Sequence, residues 1–306
     1  MPVAPELEPY CTPPGQGATE MPDLAELRPM FEAMASMWDL AEPSALQSIE
    51  QRTIPGPAGE IPVVVYTPDA PGPRPVLLFI HGGGFFLGSP HSHGPVAREI
   101  AARSGRVVVS VDYRLTPEHE FPAAVDDCYA ALQWVAANAA ELGGDPAHLA
   151  VCGDSAGGNL SAVLALKARD EGGPAIEAQA LIYPVTDSAC DSQSMVDNAE
   201  GYMLTASSMQ WMWGMYVPDE AARTQAFASP LRAPDVSGLP PAIVITAEFD
   251  PLRDEGEAYA ALADAGVAVR QVRFDGMIHG FVQMLNVTPR AGEAIDLVVA
   301  HLGANA

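Results

Sequence analysis

Lysine is almost missing from this chain: Lys167 is the only one, and 15 Lys plus Arg stand against 39 Asp plus Glu, for a net charge of −24. A surface this acidic repels phosphate backbones and anionic headgroups, which argues against nucleic acid or a membrane surface as a partner. Cysteine is sparse as well. Cys11, Cys128, Cys152 and Cys190 are scattered with no C-x-x-C pair, so neither a zinc site nor a disulfide framework is indicated and reduced, mostly buried thiols are expected. No apolar run reaches the length of a bilayer crossing, and Met1–Glu6 has neither a basic region nor an apolar core of a secretory leader. The expectation is a soluble, cytoplasmic protein, monomer or homodimer, without internal repeats or low-complexity tracts.

What is present is a large core: 306 residues with 48% hydrophobic content. Residues 1–45 begin Pro-rich and then carry Leu24, Leu27, Met30, Phe31, Met34, Met37 and Trp38 at spacings of three and four, an apolar stripe on one helix face. Residues 48–53 and 60–67 read as an antiparallel entry pair. From Pro75 the pattern becomes strand, helix, strand, helix, which implies a mostly parallel, right-handed sheet with helices on both faces. That rhythm breaks at 187–228, where methionines alternate with Tyr202, Trp211, Trp213 and Tyr216 instead of forming a strand. The division expected is a core of 46–186 and 229–306, with 1–45 and 187–228 forming helices over one sheet edge. Methionine adapts to varied ligand shapes. Met34, Trp38, Phe85, Met203, Trp211 and Met215 are therefore the expected pocket wall.

Val151-Cys152-Gly153-Asp154-Ser155-Ala156-Gly157 organises the chemistry. Apolar 149–152 supplies a strand and 160–166 a helix, so G-x-S-x-G falls on a sharp turn that projects a hydroxyl from the sheet edge. Serine is a weak nucleophile at its own pKa and needs a base, with a third group to orient that base. Asp250 and His279 each follow a strand, which brings both to the edge that carries Ser155, in the chain order Ser, Asp, His. His279 is then the base, so activity should fall as it becomes protonated, and Asp250 fixes its tautomer. Acyl transfer also needs main-chain donors where an oxyanion develops. Ala156, just after the nucleophile, supplies one; Gly83 and Gly84 of His81-Gly82-Gly83-Gly84 supply the rest.

These segments, with Asp250-Pro251-Leu252-Arg253-Asp254-Glu255, His279-Gly280-Phe281 and Tyr113-Arg114-Leu115-Thr116-Pro117-Glu118, together resemble the bacterial hormone-sensitive lipase family of carboxylesterases, with Thr116 where alanine is more usual. The resemblance spans nearly the whole chain. It implies an α/β-hydrolase core, a two-part helical cap, no cofactor, and hydrolysis of short- to medium-chain acyl esters. It assigns Ser155 as nucleophile, Asp250 as acid, His279 as base, and Gly83, Gly84 and Ala156 as oxyanion donors. The same triad serves amide cleavage and long-chain lipolysis, so both stay open. A non-catalytic binding protein, such as the plant gibberellin receptors that lost the histidine, is disfavoured because all three triad residues are present.

Other polar residues receive structural expectations. His81 should hold the glycine loop, His91 and His93 should lie in a surface loop without a third metal ligand, and Asp112 should pair with Arg114. Asp254 and Glu255, rivals of Asp250, should begin a helix. Asp154 should stabilise the turn.

Overall fold

The computed structural model describes residues 2–13 and 23–303, so part of the Pro-rich N-terminal stretch lies outside the described residues. Eight strands form one sheet: β1 Ser48–Gly56, β2 Gly59–Thr67, β3 Arg74–Ile80, β4 Val107–Val111, β5 Gly144–Asp154, β6 Ala178–Ile182, β7 Ala242–Phe249 and β8 Val269–Ile278. Their order is β1-β2-β4-β3-β5-β6-β7-β8. The first two strands run antiparallel to their neighbours, as a hairpin must, and all later pairs are parallel.

The helices are α1 Leu24–Met37, α2 Gly94–Ser104, α3 Ala123–Asn138, α4 Ala156–Glu171, α5 Gln193–Asp197, α6 Ala206–Tyr216, α7 Arg253–Tyr259 and α8 Pro289–Gly303. Period-two alternation in the strands sends side chains to two separate cores. Val76, Leu78 and Ile80 join α3, α4 and α6 on one face. Leu77 and Phe79 join α2 and α8 on the other. Because both faces are covered, β3 and β4 read as continuous apolar runs rather than alternating ones. Among the described residues, no helix is long and apolar enough to cross a membrane.

The fold places the ends of β3, β5, β7 and β8 on one rim. Register aligns Ile80 with Gly153, and Phe249 with Ile278. Parallel pairing therefore converts residues 81–84, 155, 250 and 279, distant in sequence, into neighbours at the carboxyl edge, where ligands bind in open α/β sheets. The break at 187–228 contains no strand of the sheet and contributes α5 and α6. Thr205 and Ser208 start α6 with reciprocal side-chain-to-backbone bonds, which terminates the preceding loop without a strand.

Two structural expectations require correction. Arg114 pairs through two nitrogens with Asp127 of α3, not with Asp112, because Asp127 faces it from the next element while Asp112 opens toward a groove beside β2. His93 is fully buried, unlike exposed His91. It precedes α2, whose first turn packs inward, and this carries the imidazole beneath the glycine loop.

Candidate active site

Ser155 sits at the junction of β5 and α4 with φ 55°, the left-handed backbone that a side chain rarely adopts. Only its surroundings hold it there. Its amide donates to the Ile182 carbonyl at 2.8 Å, and its carbonyl accepts from Val185 at 3.2 Å and Asn159 at 3.1 Å. Gly157 is required by space: a Cβ there would lie 1.9 Å from the Ile80 carbonyl oxygen.

The Ser155 hydroxyl donates to His279 Nε2 at 3.0 Å, and His279 Nδ1–H donates to Asp250 Oδ2 at 2.7 Å. A carboxylate can only accept, so Asp250 fixes the proton on Nδ1 and leaves Nε2 free to take one. Asp250 is itself immobilised: its other oxygen accepts the Leu252 amide at 2.8 Å, and its backbone carbonyl accepts from Asn198 at 3.1 Å. The carboxylate has no solvent exposure, whereas Ser155 and His279 keep 8% and 9% and open onto a cavity. Neither rival acid approaches His279. Asp254 binds Ser194 and Arg253, and Glu255 binds the amides of Thr186 and Asp187.

Gly83 has φ 111°, and a Cβ on it would fall 2.2 Å from the Leu87 carbonyl oxygen, so the loop closes only on glycine. Gly83 and Gly84 face the cavity beside Ser155. Ala156 is the first residue of α4, so its amide points out of the helix N-terminus next to Ser155. The carboxylate of Asp154 organises the loop from behind. It accepts the Gly82 amide at 3.0 Å and the Gln283 side chain at 3.3 Å, and His93 Nε2 lies 3.4 Å away. Burial pushes this carboxyl up, but the His93 and His81 rings and the Gly82 amide outweigh burial and hold it below the ordinary carboxylate range. Burial lowers His81 to about 3, with His93 adding to the effect. His81 is therefore a neutral ring, stacked on Tyr113 and contacting the Gly82 carbonyl at 2.8 Å.

The cavity measures about 360 Å³. Met34, Met203 and Trp211 line it as expected; Trp38, Phe85 and Met215 do not. The stripe on α1 runs Leu27, Phe31, Met34, and spacing carries it to Trp38, but the helix ends at Met37 and the indole turns away to Tyr10. Phe85, with φ 65°, stacks at 3.7 Å on Tyr216 in the core. Met215 lies one turn beyond Trp211, where its carbonyl accepts the Thr116 hydroxyl. Gln283 and Thr12 reach the cavity without any motif to announce them. A larger groove of about 570 Å³ beside β1 and β2 contains none of the triad. Among the described residues, no group of three or more His, Cys, Asp or Glu side chains could hold a metal ion.

A hydroxyl donating to an oriented imidazole, beside main-chain donors and an apolar hollow, is equipped for nucleophilic acyl transfer. The chain as a whole is similar to known hydrolases. The model of the alpha/beta hydrolase fold family matches residues 77–283. A carboxylesterase of Mycobacterium tuberculosis, NlhH, is 47% identical over 83% of this chain and 82% of its own. An ethyl acetate hydrolase of Pseudomonas putida is 36% identical over 90% of this chain and 89% of its own. A hyperthermophilic esterase from Pyrobaculum calidifontis superposes with a TM-score of 0.92 at 42% identity, each chain fully covered. The chain belongs to the α/β-hydrolase family, within its hormone-sensitive lipase branch of carboxylesterases.

Proposed function

We propose that this protein is a serine carboxylesterase that hydrolyses short- to medium-chain acyl esters through an acyl-enzyme on Ser155. The observation that carries the reading is the continuous hydrogen-bonded line from Ser155 through His279 to Asp250. Ser155 Oγ attacks the ester carbonyl while His279 Nε2 takes its proton. The resulting oxyanion meets the amides of Gly83, Gly84 and Ala156, and its collapse expels the alkoxide, which leaves as alcohol with the proton from His279. Water then repeats the sequence on the acyl-enzyme, with His279 again as base, and releases the carboxylic acid and free Ser155.

Cavity chemistry supports the substrate class. Leu27, Phe31, Met34, Met203, Trp211 and Met212 make an apolar wall, and no Lys or Arg is among its described lining residues. With −24 charges on the chain, neutral esters suit it better than anionic ones. The bulk of Trp211 and the methionines limits acyl length.

We further assign residues 1–45 and 187–228 as a two-part cap over a core of 46–186 and 229–306. In support, α1 and α6 both line the cavity, and Arg28 ties α1 to the carbonyls of Phe86 and Thr116 and to the Glu118 carboxylate. The reading needs no cofactor, nucleic acid or membrane, and takes the protein to act as a monomer or homodimer in the cytoplasm. Hydrolysis rates for p-nitrophenyl esters from acetyl to palmitoyl test it: rates should peak at or below hexanoyl and vanish in Ser155→Ala. A palmitoyl maximum would replace the esterase with a lipase, and full activity in Ser155→Ala would remove the nucleophile.

A further inference from the structure

Tyr183 lies where the two halves of the catalytic apparatus meet. It follows β6 with φ 34°, strained for a residue with a side chain, and such strain persists only where the surroundings over-determine it. Its amide donates to Ile245 at 2.6 Å, and its neighbours Ile182 and Val185 hold the Ser155 backbone. The backbone of Tyr183 is thus fixed to the nucleophile's turn. Its side chain goes to the base: the phenol ring and the His279 imidazole are 4.6 Å apart between centroids, inclined at 55°. Phe281 also packs on the phenol, with ring centroids 5.9 Å apart, edge to face.

We propose that Tyr183 is a positioning residue for the reaction whose ring face stabilises the imidazolium form of His279. When His279 Nε2 takes the Ser155 proton as the Oγ–carbon bond forms, the imidazole gains a full positive charge. An aromatic face within about 6 Å of a cation attracts it through the ring quadrupole. His279 meets Asp250 at Nδ1, Ser155 at Nε2 and the Tyr183 ring; the Asp154 carboxylate acts on the Tyr183 phenol, and Glu255 lies near Asp250. Asp250 anchors one edge of the imidazole, and the Tyr183 ring packs against it at a tilt of 55°. Burial, then the carboxylates of Asp154 and Asp250, push the Tyr183 phenol well up, so the ring stays neutral through the working pH range and acts through its π face. Its hydroxyl, packed toward the Val282 backbone, is not required for this role.

The inference rests on the esterase reading above and is tested with it. The kcat/KM for p-nitrophenyl butyrate is measured from pH 5 to 9 for the wild type, Tyr183→Phe, Tyr183→Leu and a chain with pentafluorophenylalanine at 183. Tyr183→Phe keeps the ring, so its rate should stay within about twofold and its acidic limb should not move. Removing or inverting the quadrupole should lower the plateau about fivefold and displace the acidic limb downward by about half a pH unit or more, because the unprotected imidazole takes a proton less readily. The fluorinated residue preserves ring shape, so it carries the test if Tyr183→Leu does not fold. Limbs that coincide with wild type in the fluorinated chain, or a Tyr183→Phe enzyme as impaired as the fluorinated one, would overturn the inference alone. An inactive wild type would overturn the esterase reading and the inference with it.

Discussion

The Asp154 carboxylate, one residue before Ser155, accepts the amide of Gly82 at 3.0 Å across 72 positions of sequence. That bond ties the loop carrying Gly83 and Gly84, the proposed oxyanion donors, to the turn carrying Ser155, the proposed nucleophile. Asp154→Ala should therefore lower kcat by about tenfold or more, approaching the cost of a lost oxyanion donor. Asp154→Asn keeps an acceptor for Gly82 and should fall between the two. Steady-state kinetics on a butyryl ester check the order; equal rates in all three would show that the loop holds its place without this bond.

Two glycines predict opposite outcomes for the same substitution. Gly157→Ala forces a Cβ to within 1.9 Å of the Ile80 carbonyl oxygen, a backbone atom that cannot swing aside. It should yield insoluble or inactive protein. At Gly214, inside α6, an added Cβ would meet nothing within 4 Å, so Gly214→Ala should raise Tm by about 2 °C through the lower entropy of the unfolded chain. Calorimetry on the second variant and solubility of the first decide both.

Burial raises the Glu255 carboxyl to about 8, with the nearby Asp187 and Asp250 adding to the effect against the Thr186 and Asp187 amides. The folded state thus binds this proton more tightly than the unfolded chain does. The stabilisation is fully present below the unfolded value of about 4.5 and is lost as pH rises toward 8. Glu255→Gln removes the titration, so the difference in Tm, variant minus wild type, should grow by about 5 °C or more from pH 5.5 to 8.5. A constant difference would mean that Glu255 does not titrate in this window.

Trp211 closes the cavity from α6 with the largest side chain in its lining. Trp211→Ala should raise the ratio of octanoyl to butyryl ester hydrolysis by about tenfold while the butyryl rate changes little, since burial of added methylenes becomes possible. Competition between the two esters measures the ratio directly, and an unchanged ratio would move the acyl chain elsewhere in the cavity.

The triad is legible in the sequence because a few residue types at strand ends have one chemical use. Ser155, Asp250 and His279 each follow an apolar strand, and parallel pairing brings such ends to one rim whatever lies between. The sheet is legible for the same reason, from its apolar runs. The cavity wall is only half legible. Periodicity says which residues share a helix face but not where the helix stops, so it groups Met34 with Trp38, which lies just past the end of α1. Phe85 looks like part of the wall because it follows the glycine loop, yet its left-handed backbone turns the ring to Tyr216. Buried His93 shows a further limit: a His-x-His in a loop reads as surface, and only the packing of α2 draws the second ring under Asp154.

Covalent trapping of Ser155 tests the central claim most directly. Incubation with a serine-directed phosphonate, followed by peptide mass spectrometry, should give one adduct on the peptide carrying Ser155, with esterase activity lost in proportion to labelling. An enzyme that hydrolyses butyryl esters while Ser155 remains unlabelled, or that is labelled equally in His279→Ala, would contradict a hydroxyl activated by that imidazole.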